Sequence, residues 1–380
     1  MSKNNKPGSG SPPSSIQGIS LIPQPTENRL TQRQKADYEE HRRSFLNWLI
    51  NIGKNPSKGE GYAKETVRGR SCRVDQFYRW VWSEEGRYTT TVTHDHADTY
   101  MEELAYGDTS QDNKANKMKS LKTLFRWRAY KFGEEEWEPQ ITFSNDTSTT
   151  NPKDYLTIEE RKQLREAALS YGTVPSYNAI TPEERDRWKE HLAQRFEKPK
   201  SEVSPDDFER ANSWKHPSLI WTALDTGLRP IEVERSTVDW VDLDNSLLRI
   251  PKEESSKNTD NWIVSLTDRT TNALSRWLSE RQQYDKYADS DAIWLTRDGN
   301  PYQSYSLNYL LRRVCEDAGI STEERDLTWY SIRHSVGTYM TREEGLAAAQ
   351  AQLRHKSPET TLRYDQTPTE DRRDALNNIG

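Results

Sequence analysis

Three stretches in the C-terminal half of the chain decide its fold: "TGLRPIEVERS" (residues 226–236), "YSIRHSVGTYM" (330–340) and "QLRHKSPETTLRY" (352–364). All three contain arginine, two contain histidine, and the third ends on a tyrosine. Arginine suits a phosphate, because its guanidinium is permanently charged and its planar fork binds two oxygens at once. Tyrosine can act as a nucleophile, but its ordinary pKa of about 10 requires a cationic site and a proton acceptor. Together the stretches indicate chemistry at a phosphate, performed by protein groups.

The ordered set resembles the signature of the tyrosine recombinase (phage integrase) family over about residues 154–370. Arg229 matches the first catalytic arginine of the family's T-G-x-R-x-x-E box, and Arg333 matches the second, in the H-x-x-R-H box. His355 matches the histidine of the L-G-H box. Tyr364 follows nine positions later, at the spacing of the family's nucleophile. The resemblance therefore implies these four residues as catalytic.

Two positions depart from the family pattern. Tyr330 stands where the H-x-x-R box has its first histidine, and Arg354 replaces the glycine of L-G-H. The resemblance implies that Tyr330 donates a hydrogen bond in the catalytic site, and that Glu232 is the structural companion of the first arginine. His334 is expected to pack beside the site. A tyrosine in this box resembles some archaeal integrases.

The segment "SLLRIPKEESSKNTDNWIVSL" (246–266) places apolar residues on both sides of a polar turn, which predicts an antiparallel hairpin. In the family, a lysine on this hairpin protonates the leaving 5′-oxygen. Lys257 fits that role, and Lys252 is the alternative. His355 is the candidate acceptor of the tyrosyl proton. The resemblance implies a reaction that uses no metal, no cofactor and no ATP.

Composition and helical spacing predict the organisation of the chain. Residues 1–29 are rich in Ser, Pro, Gly and Asn and predict a flexible leader. Residues 30–132 predict four helices and resemble the family's core-binding (SAM-like) DNA-binding domain. Residues 133–153 predict a linker, and residues 154–380 a catalytic domain that opens with Thr157 as N-cap. The expected fold class is mainly α with a small antiparallel β-sheet (α+β).

The fourth predicted helix, residues 111–131, is strongly cationic. Its apolar residues are expected to face inward and its cations outward, leaving either a solvated charged face or a phosphate-binding surface. The outward cations are Lys114, Lys117, Lys119, Lys122, Arg126, Arg128 and Lys131. Within this set, the candidate DNA-binding residues are Lys114, Lys117, Lys119, Lys122 and Arg126.

Bulk composition narrows the class of protein. The chain has 54 Lys and Arg against 60 Asp and Glu, a net charge of −6 that argues against indiscriminate nucleic-acid binding. Two cysteines provide no disulfide framework. His94 and His96 are expected to begin a helix instead of binding a metal. A secretion signal and a run of about 18 apolar residues are both missing, so a cytoplasmic protein without membrane contact is expected.

The resemblance implies a site-specific recombinase that cuts and rejoins DNA through a 3′-phosphotyrosine, integrating or excising a virus or mobile element. The alternatives are an Xer-like resolvase of chromosome or plasmid multimers and a catalytically silent DNA-binding relative. The net negative charge also leaves open a helical scaffold with no DNA role. The implied partners are double-stranded DNA, three further copies in a homo-tetramer on DNA, and accessory DNA-bending proteins. The last residues, 367–380, are expected to dock on a neighbouring subunit.

Overall fold

A computed structural model of the chain describes residues 14–144, 154–256, 260–323, 325–362, 364 and 369–379. The chain divides into two compact units, residues 1–148 and 149–380. Helices dominate both units, and each has a small antiparallel sheet. The predicted fold class, mainly α with a small antiparallel β component, is confirmed.

The described part of the first unit contains four long helices, as predicted, around an aromatic core that includes Tyr38, Phe77 and Trp127. Thr31 begins the first long helix with a capping box, in which its hydroxyl accepts from the backbone N–H of Gln34. The elements are β1 Ser15–Ile16, β2 Ile19–Ser20, α1 Gln24–Glu27, α2 Gln32–Asn51, α3 Lys64–Glu84, α4 His94–Tyr106 and α5 Gln111–Phe132.

Residues 14–29 are folded onto this unit, so the prediction of a flexible leader is wrong for them. Strands β1 and β2 pair, and Ile19 and Leu21 are buried in the core. The Thr26 hydroxyl donates to the buried Asp75 carboxylate at 2.8 Å. Burial of a few apolar side chains holds the segment on the unit. The prediction missed them because it used the average composition of the segment, which is polar.

The predicted linker is also partly folded. Trp137 is buried, and its Nε1 donates to Asp98 Oδ1 at 3.1 Å. Phe143 packs into the same core. Residues 133–144 therefore belong to the first unit. The rest of the predicted leader and linker, residues 1–13 and 145–153, lies outside the described residues.

The second unit is built around helix α9, whose buried residues include Leu219, Ile220 and Leu224. It packs against α6, α11 and α13. The helices are α6 Ile158–Ser170, α7 Pro182–Arg195, α8 Pro205–Glu209, α9 Lys215–Thr226, α10 Pro230–Arg235, α11 Asp268–Arg281, α12 Ser304–Asp317, α13 Trp329–Leu353, α14 Pro358–Leu362 and α15 Thr369–Ile379. The strands are β3 Val241–Asp242, β4 Leu247–Ile250 and β5 Trp262–Ser265.

Two local predictions in this unit are confirmed. Thr157 and Glu160 form the capping box of α6. The hairpin pairs β4 with β5, with Leu248 opposite Val264, and β3 adds a third strand on the other side of β4.

Helix α9 is followed by Gly227 as its C-cap, whose φ of +59° is the left-handed conformation that glycine adopts most readily. A Cβ at this position would lie 2.9 Å from Leu353 Cδ2 and 3.2 Å from Arg333 Cγ. The glycine therefore lets the end of α9 approach α13 closely and directs the chain into Arg229.

Candidate active site

Arg229 is the N-cap of α10, and its side chain is held by Glu232 one turn later. Its Nη1 donates to Glu232 Oε1 at 2.8 Å, and its backbone N–H donates to Glu232 Oε2 at 2.8 Å. The side chain of Arg229 is 16% exposed, whereas that of Glu232 is 1% exposed. Arg229 therefore keeps one accessible edge while its other edge is fixed.

Arg333 lies on α13 and is almost fully buried. Its Nη1 donates to the carbonyl of Gly227 at 2.6 Å, and its Nη2 donates to the carbonyl of Leu353. Nη2 also lies 2.9 Å from Nε2 of His355. The guanidinium thus joins the first predicted box to the third.

His355 is buried and has partners at both ring nitrogens. Because arginine only donates, Nε2 must accept from Arg333, and Nδ1 then carries the proton and donates to Thr361 Oγ1 at 2.9 Å. These contacts select the neutral tautomer protonated at Nδ1.

Tyr364 is buried, with 7% of its surface exposed. Its ring contacts two histidines, and its centroid lies 5.2 Å from that of His334 and 5.4 Å from that of His355. A Cβ on Gly337 would lie 2.3 Å from Tyr364 Cδ1. Glycine at 337 therefore makes room for the tyrosine, a requirement that sequence reasoning missed.

Arg354 also belongs to this cluster, and its role was missed. Its side chain is fully buried, and Nη2 donates to Glu232 Oε2 at 2.8 Å. Its φ is +57°, a conformation for which glycine is the usual residue. The glycine of the family's L-G-H pattern was the signal that marked this backbone position.

The cluster has an excess of positive charge. Three guanidinium groups, on Arg229, Arg333 and Arg354, surround one carboxylate, on Glu232. Burial would raise the pKa of Glu232, but the three arginines, led by Arg354, lower it to about 2. Burial, followed by the like charges of Arg229 and Arg354, lowers the pKa of Arg333 to about 9. An anion is therefore the ligand that this cluster favours.

A small cavity of about 70 Å³ opens beside the cluster. It is lined by Arg229, Ser256, Trp262, Arg354, His355, Lys356, Ser357 and Thr360. Lys356, which sequence reasoning also missed, is mostly exposed and pairs with Asp260 at 3.2 Å. The cavity gives the cationic cluster access to solvent.

Among the described residues, the predicted candidates Tyr330 and Lys252 are not brought into this cluster. Tyr330, on the first turn of α13, is 44% exposed and does not line the small cavity. Lys252 is exposed, and its backbone N–H donates to Asn261 Oδ1. Lys257 lies outside the described residues.

In the first unit, two cations of α5 face inward, so the prediction that they face outward is wrong. Lys114 is 6% exposed, and its Nζ donates to the carbonyl of Ala105. Arg128 is 5% exposed and pairs with Glu134 at 2.6 Å. Helix α5 is covered by the rest of the unit on more sides than the distribution of its charged residues predicted. The long side chains of Lys114 and Arg128 therefore reach backbone and carboxylate oxygens.

The other candidate DNA-binding residues of α5 are more accessible. Lys119 is exposed, whereas Lys117 and Lys122 are half-buried. Lys122 pairs with Glu138 at 2.9 Å. Arg126 Nη2 donates to the carbonyl of Gly53 and to the Tyr62 hydroxyl, both at 2.6 Å.

His94 and His96 lie in the first turn of α4, as predicted, and His96 caps the backbone N–H of Thr93. Across the described ranges, no group of three or more His, Cys, Asp or Glu is arranged to hold a metal ion. In the same ranges, no helix is long and apolar enough to span a bilayer.

Residues 205–370 match the profile of the phage integrase family. Tyrosine recombinase XerA of Saccharolobus solfataricus is 29% identical over 156 residues, which are 41% of this chain and 47% of XerA. Tyrosine recombinase XerC of Actinobacillus pleuropneumoniae is 28% identical over 140 residues, 37% of this chain and 43% of XerC. The chain thus spans about half the length of the curated relatives it matches.

Two solved structures share the fold at low sequence identity. The XerH site-specific recombinase, in a post-cleavage complex with palindromic difH, superposes with a TM-score of 0.54 and 16% identity, covering 91% of this chain and 88% of XerH. The Tn1549 transposon integrase, in complex with a circular intermediate DNA, superposes with a TM-score of 0.52 and 14% identity. The match covers 88% of this chain and 98% of the integrase chain. These two structures show a shared fold, and the matched profile and curated relatives show that the C-terminal unit of the chain is similar, over residues 205–370, to the phage integrase family of tyrosine recombinases.

Proposed function

We propose that this chain is a site-specific DNA recombinase that cleaves and rejoins duplex DNA through a 3′-phosphotyrosine. The observation that carries the proposal is the cluster of Arg229, Arg333 and Arg354 around Glu232, beside a buried Tyr364. A phosphodiester supplies the anion that the cluster favours. Its negative charge grows as the phosphorus becomes pentacoordinate, and fixed guanidinium groups stabilise that charge.

In cleavage, the phenolic oxygen of Tyr364 attacks the scissile phosphorus. A P–O bond to tyrosine forms, and the bond to the 5′-oxygen breaks. In rejoining, a 5′-hydroxyl attacks the phosphotyrosine and releases the phenol. Each step replaces one phosphodiester with another, so the reaction needs no ATP.

His355 is the proposed acceptor of the tyrosyl proton. Its Nε2 lone pair accepts from Arg333 when no phosphate is bound. A phosphate that engages Arg333 would compete for this donor and free Nε2 to take the proton. The bond from Nδ1 to Thr361 keeps the basic nitrogen turned toward Arg333.

A lysine of the hairpin is the proposed donor of a proton to the leaving 5′-oxygen. Lys257 is the first candidate, because the preceding residue, Ser256, lines the small cavity together with Arg229. Lys252 is the second candidate. Tyr330 is proposed to donate a hydrogen bond to the bound DNA, from its exposed position on α13.

Covalent trapping tests the proposal. A nicked suicide substrate that carries the DNA flanking this gene is incubated with wild type and with Tyr364→Phe. We expect a covalent adduct with wild type and none with the variant. Duplex binding by both proteins with no adduct would favour a catalytically silent DNA-binding protein, with Tyr330 as the first residue to examine.

Helix α5 is the proposed DNA-contacting surface of the first unit. Lys117, Lys119, Lys122 and Arg126 remain candidates, whereas the buried Lys114 does not. Binding to phosphates releases counterions, so the logarithm of affinity should fall linearly with the logarithm of salt concentration. Duplex affinity that is negligible even at low salt would favour a scaffold with no DNA role.

We propose integration or excision of a mobile element as the biological role, and multimer resolution as the second candidate. The XerA and XerC relatives favour the second role. An assay with plasmids that carry the flanking DNA distinguishes the two roles. Joining of two plasmids at an attachment site supports integration. Conversion of plasmid dimers to monomers without any such joining supports resolution.

Both roles require two duplexes and four active sites, so we propose a homo-tetramer on DNA, with accessory DNA-bending proteins as further partners. Removal of residues 367–380, the proposed intersubunit tail, should preserve duplex binding and reduce recombination. Unchanged recombination would contradict a role for the tail.

A further inference from the structure

Arg354 occupies a backbone position that disfavours arginine. Its φ of +57° and ψ of +49° lie in the left-handed region, which side chains with a Cβ seldom adopt. Despite this conformation, its side chain is completely buried. An arginine in this conformation and fully buried needs compensating interactions that glycine could not make.

The guanidinium of Arg354 is bonded at all three nitrogens. Nη1 donates to the carbonyls of Thr226 and Gln352 at 2.8 and 2.7 Å. Nη2 donates to Glu232 Oε2 at 2.8 Å and to the carbonyl of Gly227 at 3.2 Å, and Nε lies 3.4 Å from Glu232 Oε1. These contacts fasten the end of α9, the end of α13 and the start of α10 to one another.

Glu232 is therefore shared between two arginines. Its Oε1 accepts from Arg229 Nη1 at 2.8 Å, while Oε2 accepts from Arg354. Without Arg354, Arg229 would be the arginine left to pair directly with this buried carboxylate, with Arg333 contributing only its charge. Arg229 would then be held more strongly by the protein and would be less available to an incoming phosphate.

We propose that Arg354 is a positioning residue for the phosphate site: it neutralises Glu232 and so leaves Arg229 free to bind the reacting phosphodiester. The inference rests on the proposed function. Although Arg354 is among the residues that line the small cavity, its side chain is 0% exposed, so its proposed role does not involve contact with the substrate. It acts through Glu232, and its removal should affect the cleavage rate more than duplex affinity.

The test compares wild type, Arg354→Met, and Arg354→Met combined with Glu232→Gln. Methionine keeps most of the volume and has a Cβ, so the backbone conformation is equally disfavoured in all three proteins. We expect Arg354→Met to form the Tyr364-dependent adduct on the order of 100-fold more slowly, as for a small misplacement of a reacting group. Duplex affinity should be unchanged.

Adding Glu232→Gln should restore at least about one tenfold step of that rate, because the unneutralised charge is removed while an amide oxygen still accepts from Arg229. If Arg354 served only to fill space, the second substitution would restore nothing. Equal rates for wild type and Arg354→Met, or no restoration in the double variant, would overturn the inference.

A second variant covers the case in which Arg354→Met fails to fold, as judged by circular dichroism. Arg354→Gln removes the charge but keeps an amide that can donate to Glu232. It should form the adduct more slowly than wild type, with unchanged duplex affinity, and a wild-type rate would overturn the inference. A wild type that forms no adduct overturns the proposed function and the inference with it, whereas an adduct unaffected by Arg354 variants overturns the inference alone.

Discussion

The Nη1 of Arg333 donates to the carbonyl of Gly227 at 2.6 Å, and this bond joins α13 to the C-terminal end of α9. Both residues come from the motifs that carry the family resemblance, yet 106 positions separate them in the chain. The bond fixes one arginine on the backbone that leads directly into the other, Arg229. Small changes at this junction should therefore alter cleavage without abolishing the fold.

Arg229→Ala should slow adduct formation by on the order of 10²–10³, the loss expected when one preorganised donor to a developing oxyanion is removed. Single-turnover cleavage of the suicide substrate measures the effect. Arg312→Ala, on the exposed surface of α12, is the matched control and should cleave at the wild-type rate. A wild-type rate for Arg229→Ala would exclude this arginine from the reaction.

Gly337→Ala should displace the nucleophile, because the added Cβ would overlap the ring of Tyr364. We expect adduct formation to fall by on the order of 100-fold, with duplex binding retained. The control is Gly69→Ala in α3, where the Cβ would meet only the flexible end of Arg73 at 3.1 Å. Glycine is disfavoured in a helix interior, so this control should be more stable by up to about 1 kcal/mol in thermal unfolding and equally active.

Thr361→Val removes the hydroxyl that accepts from Nδ1 of His355. The imidazole is then free to change tautomer, and we expect on the order of a tenfold lower cleavage rate, with a changed dependence of the rate on pH. Thr341→Val makes the same chemical change at a buried hydroxyl that lacks a hydrogen-bond partner among the described residues. The two pH profiles should differ, and identical profiles would remove Thr361 from the mechanism.

Substrates with a 5′-bridging sulfur should identify the general acid. A thiolate leaves without being protonated, because the ordinary pKa of a thiol is about 8.5. We expect Lys257→Ala to cleave ordinary DNA slowly and the sulfur-containing substrate at nearly the wild-type rate. Lys252→Ala should behave as wild type on both. The opposite pattern would assign the role to Lys252.

Glu232 should make the stability of the second unit depend on acidity. Its pKa in the folded protein is about 2, below the ordinary value of 4.5. The contribution of the charged carboxylate to the free energy of unfolding is therefore complete above about pH 4.5 and is lost as pH falls toward 2. Wild type should therefore exceed Glu232→Gln in stability at pH 5, and the difference should shrink as pH approaches 2. Melting temperatures measured across this range check it, and a constant difference would contradict the assigned pKa.

Sequence reasoning succeeded where the determinants are local. The capping box of Thr157 and Glu160, the hairpin of β4 and β5, and the four long helices of the first unit each depend on residues close together in the chain. The catalytic candidates were identifiable because their order and spacing are distinctive. Their convergence at Arg333 and His355 agrees with that interpretation, while their catalytic roles remain predictions.

The features that sequence reasoning missed depend on distant contacts. The lysine at 114 and the arginine at 128 are polar by type, but packing of α5 turns them toward oxygens of the same unit. The prediction of a flexible leader relied on average composition, whereas the burial of two single residues, Ile19 and Leu21, folds part of that segment onto the core. The fit of Tyr364 over a glycine and the partners of Arg354 become visible only when helices are placed side by side.

The bond between Arg354 and Glu232 also limits how this chain can evolve. The two positions lie 122 residues apart, yet a change at either one alters the charge balance of the other. Substitution of Arg354 by glycine would relieve the backbone and at the same time leave the buried carboxylate of Glu232 with one fewer cation. Among recombinases with arginine at this position, substitutions at the two sites should therefore occur together, so that the pair is inherited as a unit.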